Sequence, residues 1–74
     1  MRIISQDDNV DVSYKLCFLR VIGNNDRTCS IEATVFASRI LMGKYETEER
    51  AEEILKEIRE RYNIGAKFYV MPKE

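Results

Sequence analysis

The stretch that decides the fold is "TEERAEEILKEIRERY", residues 47–62. Ala51, Ile54, Leu55, Ile58 and Tyr62 recur at helical spacing and line up as one apolar stripe. The opposite face carries Glu52, Glu53, Lys56, Glu57, Glu60 and Arg61, so this is an amphipathic helix that needs an apolar surface beneath it. Thr47 is a good N-cap, and Glu48 and Glu49 place negative charge in the first turn, where the helix dipole favours it. Glu52–Lys56 and Glu57–Arg61 have the spacing of favourable pairs, each worth about 0.2–0.5 kcal/mol. Asn63 or Gly65 can end the helix through a left-handed residue.

Working outward, the period changes from helical to alternating. On the C-terminal side, "AKFYVM" (residues 66–71) reads as a last strand, stopped by Pro72. On the N-terminal side, residues 39–45 read as a strand in which Gly43 marks a bulge or a close approach. Residues 28–37 alternate cleanly: Cys29, Ile31, Ala33, Val35 and Ala37 on one side, Thr28, Ser30, Glu32, Thr34 and Phe36 on the other. "GNNDR" before them is a hairpin signal. The run "YKLCFLRVI" (residues 14–22) is largely apolar on both parities, with Arg20 on one and Lys15 on the other. Either the helix covers one face and a second subunit the other, or the strand is central. At the start, residues 2–5 read as a short strand, Asp7-Asp8-Asn9 as a turn and residues 10–12 as a brief second strand. The expectation is one α+β domain over residues 1–74. It comprises a small antiparallel sheet of about four to five strands, the helix at about 47–62 packed on it, and a C-terminal strand.

Composition narrows function by exclusion. A chain of 74 residues has a marginal core and ordinarily needs added support. A metal is not expected, because there is no histidine and two cysteines cannot close a tetrahedral zinc site. Cys17 and Cys29 read as reduced core thiols, without a base to activate them. The acidic helix face has the helical period rather than that of a calcium loop, and "DDNVD" lacks the glycine and terminal glutamate such a loop requires. The three glycines are dispersed, so no phosphate-cradling loop is visible. Enzymatic activity and a cofactor are not expected. A net charge of −1 argues against general nucleic-acid binding. No apolar run has the length of a signal peptide or membrane span, which points to a soluble, cytoplasmic protein. Self-association is the support that remains.

Between residues 12 and 45 there is a local basic excess: Lys15, Arg20, Arg27, Arg39 and Lys44 against Asp26 and Glu32. Arginine beside Tyr and Phe on a sheet suits phosphate contact with stacking on a base. The plainer reading of the same residues is solubilising charge on edge strands.

Three segments carry a family resemblance: "MRIISQD" at the start, "GKYETEERAEEILKEIRERY" around the helix, and "KFYVMPKE" at the end. Together they resemble a group of short proteins of phages, prophages and conjugative elements of Gram-positive bacteria. Members open with a basic residue, two aliphatics and Ser-Gln, continue with Tyr-x-Thr-Glu-Glu, and close on an aromatic strand and a proline. Asp8 stands where that group commonly has glycine. Small phage accessory proteins often act against host immunity, several as homo-oligomers that sequester nucleotide signals. By that analogy the chain is expected to be a homo-oligomeric sponge for a cyclic ADP-ribose isomer or a cyclic oligonucleotide. Arg2, Arg20, Arg39 and Lys44 would pair phosphates, Tyr14 or Tyr45 would stack on a base, and Ser5 and Gln6 would contact ribose or base edges. The alternatives are an inhibitor of a host defence complex, of anti-CRISPR type, and an accessory protein of a mobile element with no ligand.

Overall fold

Thr47 caps the one helix of the C-terminal half. Its hydroxyl accepts the Arg50 N–H at 3.1 Å and starts α1 (Glu48–Asn63). The helix stops where Gly65 takes a positive φ of 85°. There the Gly65 N–H bonds to the Tyr62 carbonyl at 3.1 Å and the Ala66 N–H to the Arg61 carbonyl at 3.0 Å, the paired bonds of a Schellman cap. Ala51, Ile54 and Ile58 of the stripe are fully buried. The expected Glu52–Lys56 and Glu57–Arg61 pairs do not form. Long side chains in water gain little from such contacts. Instead Arg50 pairs with Glu53, and Glu57 accepts the Tyr69 hydroxyl at 2.8 Å.

The computed structural model describes residues 1–74 and confirms a small α+β domain, with the strands divided between two sheets. The first sheet has β1 (Arg2–Ile4) at its centre, antiparallel to β2 (Asp11–Ser13) and parallel to the C-terminal β6 (Phe68–Val70). The second is an antiparallel meander of β3 (Phe18–Gly23), β4 (Cys29–Val35) and β5 (Ser38–Tyr45). One sheet of about four to five antiparallel strands was expected. It divides because Tyr14–Leu16 turns as a single 3-10 turn instead of extending, so β2 and β3 separate. A parallel pair needs a long connection, and everything between β1 and β6 supplies it.

Both sheets turn one face toward α1. Ile3, Ile31, Ala33, Ala51, Ile54 and Ile58 are wholly shielded from solvent, and Met42 and Met71 almost so. Each isoleucine buried in this way contributes about 1.5–3 kcal/mol. A bulge in β5 shapes this core. Glu32 pairs with Leu41 while Ile31 pairs with Gly43, leaving Met42 as the extra residue. Inward parity therefore switches from Ile40 and Met42 to Gly43 and Tyr45, so the strand delivers both Met42 and Tyr45 to the interior. Gly43 is also a point of close approach. A Cβ there would meet the Tyr45 ring, 2.8 Å from Cε2 and 2.7 Å from the hydroxyl.

Candidate functional site

Alternation leaves the second sheet with an outer face that no helix or strand covers, although Ser30 on it is buried and accepts a hydrogen bond from the Asn24 side chain. Three cross-strand rows build it: Phe18, Thr34 and Arg39; then Arg20, Glu32 and Leu41; then Ile22, Ser30 and Lys44. The bulge is what brings Lys44 onto the same face as Arg39 and Leu41, across an even and an odd spacing. Phe18 is 81% exposed and Leu41 59%. Three cations face a single carboxylate, interleaved with apolar side chains.

The local electrostatics are open rather than locked. Arg20 Nη2 lies 3.9 Å from Glu32 Oε1, beyond hydrogen-bond range, and that carboxylate oxygen is buried without a donor. Lys44 Nζ reaches Asp26 at 3.0 Å at the end of the face. Asp26 is held below the ordinary carboxylate range first by the Thr28 hydroxyl and then by Lys44. The Lys44–Asp26 pair is exposed on both sides and worth roughly 0–1 kcal/mol, so Lys44 can exchange partners at little cost, and Arg20 is held by no hydrogen bond to Glu32.

The structure brings together Arg20, Arg39 and Lys44 of the expected site residues and places the others elsewhere. Arg2 is on the first sheet, paired with Asp11. Ser5 is buried: its hydroxyl donates to Asp7 at 2.6 Å and accepts the Val10 N–H at 3.1 Å, so it closes the turn. That bond also lowers the Asp7 pKa. Gln6 is a bracket. Its amide nitrogen donates to the carbonyls of Lys44, Pro72 and Lys73 at 3.2, 3.2 and 2.7 Å, and its oxygen accepts the Lys44 N–H at 2.9 Å. Tyr14 stacks on Tyr62, with ring centroids 4.5 Å apart. Tyr45 is buried, with its hydroxyl donating to the Pro72 carbonyl at 2.7 Å, and burial raises its pKa.

Gln6, Lys44 and Tyr45 also border a cleft of about 880 Å³ beside the start of α1, with Arg50, Lys73 and Glu74. Charges of both signs line it, and its cations are already engaged: Lys44 by Asp26, Arg50 by Glu53 and Lys73 by Asp8. On the outer sheet face Lys44 has the same partner and Arg20 faces Glu32, while Arg39 is a cation with no ionic partner. Cys17 and Cys29 are both free, and burial pushes the Cys17 thiol up, away from a reactive thiolate. No helix is long and apolar enough to cross a membrane.

Phe18, Glu32 and Leu41 belong to this face and were not among the expected site residues. Parity was the available signal: Phe18 shares that of Arg20, and Glu32 is the only acid among the outward positions of β4. No family model matches the chain, and no curated protein or solved structure matches it either.

Proposed function

We propose that this chain is a non-catalytic binding protein that sequesters a small phosphate-bearing nucleotide as a homo-oligomer. The ligand class is a cyclic ADP-ribose isomer or a cyclic oligonucleotide. The observation that carries this reading is the uncovered face on which Arg20, Arg39 and Lys44 surround Phe18 and Leu41. Guanidinium and ammonium groups make charge-assisted hydrogen bonds to phosphate oxygens, about twice as strong as neutral ones. An exposed phenyl ring beside them gives a base a surface to stack on. The weak Arg20–Glu32 approach leaves Arg20 free to turn to such a ligand. The resemblance of both ends and the helix to accessory proteins of phages and other mobile elements supports a role in evasion of host immunity, within the infected bacterial cell.

Incubation with a panel of cyclic ADP-ribose isomers and cyclic oligonucleotides, followed by filtration and assay of the free nucleotide, tests it. Depletion of one member, with intact nucleotide recovered on heating, is the expected result. Loss of that depletion in Arg20→Ala/Arg39→Ala would assign it to this face. No depletion of any member removes the reading.

A second reading, direct inhibition of a host defence protein, draws on the same exposed Phe18 and Leu41. A stoichiometric host protein in a pull-down, with no co-purifying nucleotide, favours it.

A further inference from the structure

The two sheets have four edges, and three of them are guarded. β2 and β6 are three residues each, and Pro72 follows β6 closely. β5 is interrupted by its bulge, and the Gln6 side chain occupies the Lys44 backbone N–H and carbonyl at its end. β3 has no such guard. It is six residues of "FLRVIG" without proline, lysine or bulge, and it pairs on one side only. Such an edge is a template for another strand.

We propose that β3 pairs antiparallel with β3 of a second copy, joining the two meanders into one continuous six-stranded sheet. Residues directly opposite in an antiparallel pair share a face, so even positions must meet even ones. The register that centres on Arg20 sets Phe18 against the second copy's Ile22, and Leu19 against its Val21, each twice. These are aromatic–β-branched and aliphatic pairs, the kind that stabilise neighbouring strands. It also sets the two Arg20 side chains side by side, each flanked by its own Glu32. The four charges sum to zero. Strand spacing brings the second guanidinium's backbone roughly 10 Å from Glu32, within reach of the carboxylate oxygen that lacks a donor. The pairing deepens the proposed function, resting on its homo-oligomeric reading by naming the surface, and it sets Arg39 and Lys44 of both copies on one continuous sheet face. Its test uses no ligand, so its failure is distinct from a failure of nucleotide binding.

Light scattering of the full chain over a concentration series should give a dimer. Phe18→Lys places a lysine on the edge and removes both Phe18–Ile22 contacts. It should weaken the dimer about tenfold or more, with an unchanged circular dichroism spectrum, because Phe18 is largely exposed. A register test is independent of that variant. Arg20→Cys should cross-link to itself under a mild oxidant and run as a dimer on a non-reducing gel. Arg39→Cys, on the far strand, should not, and the wild-type chain measures the background of Cys17 and Cys29. A monomer at every concentration overturns the proposal, as does a dimer in which Arg20→Cys fails to cross-link.

Discussion

The two three-stranded sheets are equal in strand number and opposite in what they do with their side chains. The first is short and turned inward: Ile3, Val12 and Tyr69 enter the core, and the exposed Arg2 is paired with Asp11. The second has strands of six to eight residues and two extended sides. Its inner side packs on α1, while its outer side leaves three cations and two large apolar residues in solvent. What differs is strand length. Three residues offer about one inward and two outward positions, enough to anchor but not to make a surface. Six or more give a row on each face.

Ile3 is the fully buried centre of the first sheet. Ile3→Ala should cost about 2–5 kcal/mol, a large part of the stability of a domain this small, and urea denaturation should show it. Gly43→Ala probes the inner side of the second sheet. The Tyr45 ring must move and weaken its bond to Pro72, so a loss of about 1–3 kcal/mol is expected by the same measurement. Gln6→Ala removes the bracket between β5 and the C-terminal segment. About 1–2 kcal/mol should be lost, with faster amide exchange at Lys44 as the local sign. Smallest of all should be Leu41→Ala on the outer side, within about 0.5 kcal/mol in denaturation. If Leu41→Ala destabilises as much as Gly43→Ala, the outer face is not the free surface described here.

These contrasts were legible in the sequence to unequal degrees. The helix was readable to within a residue because cap, stripe and stop all agree, from Thr47 through Ile54 and Ile58 to Gly65. The faces of β4 were readable because period-two alternation reports which side a residue takes. Alternation says nothing about partners, so neither the division into two sheets nor the parallel pairing of β1 with β6 could be read. The run from Tyr14 to Ile22 is rich in β-formers as a whole, yet its first three residues, Tyr14–Leu16, fold as a 3-10 turn. The two-residue loop of the β4–β5 hairpin was hidden for another reason. Phe36 sits there at a φ of 54°, a place where glycine is the usual signal. In the site, Arg20, Arg39 and Lys44 could be grouped as a basic excess. Ser5 and Gln6 looked available because polar residues at the end of a strand announce a turn or a ligand equally well. The structure uses their polar atoms on Asp7, Val10, Lys44 and the C-terminal carbonyls.

The Gln6 bracket sets a valence. A molecule with two open sheet edges adds copies head to tail and grows into fibres, because nothing closes the series. By occupying the backbone of Lys44 and holding Pro72 and Lys73 against it, one glutamine blunts the far edge of the meander. One sticky edge is then used up by its first partner. If β3 pairs as proposed, the β5 bulge and the Gln6 side chain together separate a finite, two-fold particle from an endless ribbon, and loss of the side chain should add turbidity to the expected loss of stability.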